Sequence, residues 1–369
     1  MRTPFAPMAY GLTALLLMSV LAGMAIQAPP HHQTLDDEST VSPTMARSGS
    51  AEIFLASGGS TSHDEFSGAI AAADNCYMVA GDVNSSATAL TFGTHTYVPT
   101  SPYSNGNDVF LASLGDDGTW NFVVGPDHSQ GGFSLMADVA SHTGNGIVAG
   151  YMYGPVSFGQ TTLSSAVQFD GFVAQTDPFG NWLWASGFQT VANSSTDKSI
   201  PQAIAVDQLG DVIVAGYFSG ETDFGGTTFN VSNNEVFVAK LDGVNGALKW
   251  AISGGGFGSQ SVTDVVVDAG GSIYVSGITD SNILFGSQVH TLFGTQDSFV
   301  LKLSSSGTVQ SLTGYGIASQ AVSLTNMAMD NNGDLYVAGS FEGTMSKNGW
   351  SITANKGGAD LFFIKEGAS

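Results

Sequence analysis

Five near-copies of one unit occupy the chain from about residue 51 to its end, and this periodicity limits the fold more than any single residue does. One column is a glycine closing an apolar run: Gly81, Gly150, Gly216, Gly277 and Gly339, spaced 61–69 residues apart. A second column is an acidic residue two before a phenylalanine, spaced 62–65 residues apart. It comprises Asp108 and Phe110, Asp170 and Phe172, Glu235 and Phe237, Asp297 and Phe299, and Asp360 and Phe362. Self-similarity at such a period means a repeat architecture, in which each unit is one supersecondary element stacked on its neighbours.

The third unit shows the pattern most plainly. Residues 203–207 (AIAVD) read as a short apolar strand, followed by a turn at QLGD. Residues 212–220 (VIVAGYFSG) read as a second strand, 235–242 (EVFVAKLD) as a third and 247–253 (ALKWAIS) as a fourth. β-Branched and aromatic enrichment bounded by Gly, Asn and Asp clusters is the signature of strands. Four antiparallel strands repeated radially predict an all-β fold, a β-propeller of five four-stranded blades. A sandwich would not need the same strand order in every unit. The ends predict how the ring closes. The last unit stops after its third strand, whereas residues 51–59 (AEIFLASGG) resemble a fourth strand, with Phe54 in the column of Phe122, Trp184 and Trp250. Joining these ends completes the last blade and removes two exposed edges. The first strands are Ala-rich, at Ala71–Ala73, Ala137, Ala140, Ala203 and Ala205, as a narrow axis requires.

The segments AIAVDQLGDVIVAGYFSG, TDFGGTTF, EVFVAKLD and GNWLWASG resemble the SBBP repeat of bacterial and archaeal β-propellers. The resemblance covers most of residues 54–365. It implies a secreted or cell-surface propeller and no general reaction. The first unit departs from it through a long insertion at 82–107, and the last has KNGW (347–350) in place of the FG element. Residues 239–250 (AKLDGVNGALKW) are also similar to the tryptophan-docking repeat of quinoprotein dehydrogenases, which implies shared blade packing.

Residues 1–28 read as a signal peptide or a membrane anchor, since the run at 10–28 is apolar and ends in small residues such as Ala25 and Ala28. Residues 29–50 are polar and Pro/Ser/Thr-containing and read as a flexible linker, leaving 51–369 for the propeller. Lys and Arg number 9 against 31 Asp and Glu, a formal charge of −22 that repels nucleic acid and anionic lipid. Cys76 is the single cysteine, so no internal disulfide forms, and it falls at a strand entrance.

Asp74, Asp207, Asp268 and Asp330 follow the first strand of their units, where Asp bonds its own turn. The complete acidic column Asp108, Asp170, Glu235, Asp297 and Asp360 reads as carboxylates satisfying backbone N–H groups, with a ring of cation ligands as the alternative. Phe122, Trp184 and Trp250 read as packing between blades, while Trp182 and Trp350 lie off that column. The histidines show no metal-binding spacing and read as scattered over the surface. No nucleophile elbow, Walker-type loop or cofactor motif occurs. Asn84, Asn193 and Asn230 stand in N-x-[ST] sequons, glycan acceptors in an exported chain.

The long connections between second and third strands share one face, and loops on a rigid scaffold carry function. There the sequence offers Tyr97, Tyr103 and Trp350 as ligand-binding aromatics, whereas Trp182 follows a tight turn and faces the other way. The expected function is a non-catalytic, monomeric binding module outside the cell or on its surface, for glycans or surface proteins. The alternative is a glycoside hydrolase using Asp138 and Asp264 near the axis.

Overall fold

The computed structural model describes residues 58–59, 69–73, 75–103, 106–191, 197–347, 349–355 and 358–367. The described residues are strands and connections, with no helix among them. After β1 (Gly58–Gly59), unit one holds β2 (Ala69–Ala73), β3 (Cys76–Asn84), the hairpin β4 (Leu90–Phe92) and β5 (His95–Tyr97), β6 (Asn107–Gly115) and β7 (Trp120–Val124). Unit two holds β8 (Phe133–His142), β9 (Asn145–Phe158), β10 (Thr161–Thr176) and β11 (Trp182–Val191). Unit three holds β12 (Lys198–Val206), β13 (Val212–Asp223), β14 (Thr228–Leu241) and β15 (Leu248–Gly254). Unit four holds β16 (Gln260–Val267), β17 (Ile273–Thr279), the hairpin β18 (Ile283–Phe285) and β19 (Gln288–His290), β20 (Asp297–Leu303) and β21 (Val309–Tyr315). Unit five holds β22 (Val322–Met329), β23 (Leu335–Phe341), the hairpin β24 (Thr344–Lys347) and β25 (Trp350–Thr353), and β26 (Asp360–Glu366).

Within each unit the strands pair antiparallel in chain order, as the sequence pattern predicts. The order is β2-β3-β6-β7 in unit one, β16-β17-β20-β21 in unit four and β22-β23-β26 in unit five. In units two and three the hairpin is a continuous extension of the second and third strands. There β11 also pairs with β13, so the two sheets join at one margin.

The two sequence columns turn out to be cross-strand partners. Gly81 pairs with Phe110, Gly150 with Phe172, Gly216 with Phe237, Gly277 with Phe299 and Gly339 with Phe362. The glycine has a steric cause. In units two to five the first strand carries a β-bulge beside it, at Met136/Asp138, Pro201/Ala203, Val262/Asp264 and Leu324/Asn326. The bulge pushes a carbonyl toward the second strand. A Cβ on Gly150, Gly216, Gly277 or Gly339 would lie 2.1–2.3 Å from that oxygen. In Gly150, Gly277 and Gly339 it would also meet the partner phenylalanine ring.

Successive units are stitched together at their first strands. Each first strand is the edge of its sheet, so the N–H groups on its free side lack ladder partners. A side chain of the preceding unit accepts one. Met136 N–H donates to Asp82 Oδ1 (2.6 Å), Ile204 N–H to Asp138 Oδ2 (3.0 Å), Val262 N–H to Gln202 Oε1 (2.8 Å) and Met327 N–H to Asp264 Oδ2 (2.6 Å). Buried serines add a second set: Ser134 accepts from Val109 N–H, Ser199 from Gly171 N–H, and Ser298 from Leu324 N–H. The fourth-strand aromatics pack as expected, Phe122 against Gly180, Trp184 against Gly246 and Trp250 against Gly307, each glycine lying in a turn of the next unit.

Two expectations change. The segment 82–107 is not an added lobe: it contains the same hairpin as the other units, with Leu90, Phe92 and Tyr97 buried under it. Unit five forms that hairpin without an FG element: Lys347 closes the turn with Trp350 where the other units place the phenylalanine, and the buried residue is Met345, two positions earlier, in the place of Leu90 and Ile283. The fourth-strand resemblance of residues 51–57, with Phe54, falls outside the described residues.

The glycine–bulge contact yields a direct prediction. Gly277→Ala should cost roughly 1–3 kcal/mol, the range for overpacking a tight interior. Ser→Ala at exposed Ser306 in the same unit should be neutral. Urea denaturation of both variants measures the difference, and equal midpoints would refute the steric account.

Candidate functional site

An aromatic patch forms where the long connection of unit one meets unit two. Tyr103 lies in the segment leading into β6. Phe133 opens β8 and pairs directly with Tyr153 on β9, the rings 5.6 Å apart and stacked. Tyr103 packs edge-on to both, at 6.0 Å from Phe133 and 6.4 Å from Tyr153. Phe169 on β10 joins Phe133 and Tyr151. Strand alternation explains the grouping. Tyr151 and Tyr153 share the outward face of β9, while Met152 between them is buried in the core. Tyr103 and Tyr153 remain exposed. Burial and, next, the Asp82 charge push the Tyr151 phenol up from its ordinary pKa, so it stays a neutral donor.

Of the three ligand-binding aromatics expected from sequence, the structure places one in this patch. Tyr97 is a correction: it is only 9% exposed, and its hydroxyl donates to Pro126 O (3.1 Å) and Asp108 Oδ2 (3.3 Å). Its ring closes the β4–β5 hairpin and offers no face to a ligand. Trp350 is exposed at the start of β25, in the hairpin of unit five. Trp182 lies outside the patch. It is half-buried, with its ring edge-on to Phe158 at 5.0 Å. Among the sequons, Asn230 is exposed on β14 and Asn84 is half-buried, its side chain accepting from Ser86 N–H; Asn193 falls outside the described residues.

Asp138 and Asp264 are half-buried. Burial pushes Asp138 up to about 6. Burial, aided by the Asp138 charge, pushes Asp264 up to about 7. Both oxygens of each are engaged by backbone. Oδ1 accepts the next residue's N–H, from Val139 (2.8 Å) and Val265 (2.7 Å), and Oδ2 accepts the N–H of the following unit. A carboxylate so occupied is a strut between units.

The histidine expectation is overturned at two positions. His128 is fully buried, with Nε2 2.8 Å from Ser134 Oγ and Nδ1 3.3 Å from Asp108 Oδ2. This Ser–His–Asp order is that of a nucleophilic triad. All three side chains are 0% exposed, however, and Ser199 bridges units two and three in the same way with no histidine. The trio is an inter-unit brace. His290 Nε2 lies 2.8 Å from Asp297 Oδ2, inside the hairpin of unit four. Sequence missed both because the partners lie in other strands; the signal available was the acidic column itself.

Four of the five members of that column act as backbone acceptors. Asp297 takes N–H groups from Phe293 and Gly294, Asp108 from Thr100 and Ser101, Asp170 from Thr190 and Asp360 from Asn355. Burial pushes the Asp170 and Glu235 carboxyls up from their ordinary pKa. The turn aspartates do the same locally: Asp207 accepts from Leu209 and Asp211, Asp268 from Ser272, and Asp330 from Asn332 and Asp334. Asp74 falls outside the described residues. Cys76 begins β3 and is buried.

No family model and no curated protein matches the chain. Among solved structures it is similar to a protein of unknown function from Dyadobacter fermentans, at 9% identity over 76% of this chain and 77% of that one, with a TM-score of 0.37. It is also similar to a member of the DUF4221 family from Bacteroides vulgatus, at 10% identity over 85% of this chain and 98% of that one, with a TM-score of 0.32. At these scores neither likeness carries an argument.

The strut carboxylates set a pH dependence. An unfolded Asp titrates near about 4. Their folded values lie above it, at about 6 and about 7. The folded state therefore binds protons more tightly, a stabilisation complete below about pH 4 and lost as pH rises through those values. The melting temperature should fall between pH 5 and pH 8, and less steeply in Asp138→Asn/Asp264→Asn. Calorimetry across that range checks it; parallel slopes for variant and wild type would exclude the struts as its origin.

Proposed function

We propose that this chain is a β-propeller of five blades, the last completed from the N-terminal side, and that it serves as a non-catalytic glycan-binding module. Side-by-side first strands β2, β8, β12, β16 and β22 support the radial reading. The binding reading rests on one observation, the mutually packed rings of Tyr103, Phe133 and Tyr153 beside the long connections, the two tyrosines exposed and the phenylalanine half-buried. Rings held by their neighbours lose little freedom when a ligand stacks on them, and a sugar's apolar face suits such a surface. The charge of −22 favours neutral over anionic ligands. Location outside the cell or on its surface fits the apolar run at 10–28. The hydrolase alternative on Asp138 and Asp264 ranks second, since backbone N–H groups occupy their oxygens.

A glycan array with residues 51–369 tests the reading. Tyr103→Ala and Tyr153→Ala should each weaken the strongest hit roughly 3- to 10-fold, the loss of about one aromatic contact, with the melting temperature unchanged. Trp350→Ala should bind normally. Binding that survives both tyrosine substitutions, or an array with no hit beside capture of a protein partner, would contradict it.

A further inference from the structure

Units two and three carry side chains on the long-connection side that the repeat itself does not call for. On the second strand, the residue after the column glycine is Asp82, Tyr151, Tyr217, Ile278 and Ser340 in units one to five. Two positions further on, that strand pairs with the opening of the first strand, Tyr153 with Phe133 in unit two and Ser219 with Lys198 in unit three. At the same place unit four sets Asp280 beside Ser259, and unit five sets Glu342 beside Ala321. The strands thus pair equally well without an aromatic ring or a cation there. Register does not explain Phe133, Tyr151, Tyr217 or Lys198.

These side chains continue the aromatic patch from unit two into unit three. Phe169 stands edge-on to Phe133 at 6.0 Å and to Tyr151 at 5.4 Å, so ring follows ring from Tyr103 to Tyr151. Besides burial and the Asp82 charge, the Tyr217 phenol also pushes Tyr151 up, which sets Tyr217 next along the row. Strand β12, which begins at Lys198, packs beside β8 and β9. Lys198 Nζ lies over the Tyr217 ring, 5.2 Å from its centre. Phe169, Tyr151, Tyr217 and Lys198 are all half-buried, so each still meets solvent.

Lys198 keeps its donors. Among the described lysines, Lys240, Lys249, Lys347 and Lys365 lie in ion pairs. Lys198 and Lys302 each have a tyrosine ring beneath them and no carboxylate in ion-pair range among the described residues. In a chain of charge −22, an ammonium group left without a carboxylate beside a row of rings has its N–H donors to offer a ligand.

We infer that the patch is one end of an extended site for a linear, neutral oligosaccharide: Tyr103, Phe133 and Tyr153 stack on one sugar, and Tyr217 and Lys198 donate to hydroxyl groups further along the same glycan. The inference rests on the glycan reading of the patch and adds the length and direction of what it takes. Ring spacings of 5.4–6.0 Å are close to the length of one sugar ring, so successive sugars each meet an aromatic surface. The far end is polar, and a few placed donors beside an apolar surface fix the ligand's register. A short sugar fills the platform and does not reach Lys198.

Calorimetric titration of the full chain with linear glucose, mannose and galactose oligomers, each as dimer and pentamer, tests it. The pentamer of the best-bound series should bind at least about 10-fold tighter than its dimer. Tyr217→Phe and Lys198→Met should each weaken the pentamer about 3- to 10-fold, one hydrogen bond's worth, and leave the dimer unchanged. Tyr103→Ala should weaken both. Lys302→Met, which removes the matching lysine over Tyr274 in unit four, should change neither. A pentamer no tighter than its dimer, or Tyr217→Phe and Lys198→Met matching wild type while Tyr103→Ala weakens binding, would overturn the extended site and leave the patch standing. Binding indifferent to Tyr103→Ala, or no pentamer bound, would overturn both.

Discussion

The free edge of each first strand is the constraint on which the rest of the structure depends. Its N–H groups point away from their own sheet, and an unpartnered N–H shielded from water costs about 1–3 kcal/mol. No unit can satisfy them alone. Asp82, Asp138, Gln202 and Asp264 each reach one such group in the following unit. In units two to five the bulge of the first strand also forces glycine into the second, and the phenylalanine of the third strand is that glycine's cross-strand partner. One backbone irregularity thereby links the first strand, the core and the neighbouring unit.

The strand order was legible because its signals are local. The glycine and phenylalanine columns recur at one spacing, and their residues proved to be opposite each other in every unit. Roles fixed by distant partners were not legible. His128 reads as a surface residue until Asp108 and Ser134 close around it from two other strands. Tyr97 reads as a loop aromatic until the short hairpin turns its ring inward to Pro126 and Asp108. The patch was half visible: Tyr103 stood out within its long connection, whereas Phe133 and Tyr153 become partners only through the β8–β9 register.

Chemistry on this scaffold divides by location. Polar side chains between units, Asp138, Asp264 and Ser199 among them, are engaged with backbone, and even the Ser134–His128–Asp108 trio is sealed within packed sheets. The long-connection side keeps aromatic rings that are held by one another and still meet solvent.

Native-state hydrogen exchange at the first-strand amides is the most direct test of how the units are joined. Ile204 and Met327 N–H face away from their own sheets, toward Asp138 and Asp264 of the preceding units. The account predicts that both exchange as slowly as ladder amides of the same strands. It also predicts that Asp138→Ala accelerates Ile204 while leaving Met327 protected, with Asp264→Ala doing the converse. Rapid exchange of both amides in the wild-type chain, at the rate of a solvated edge, would contradict it.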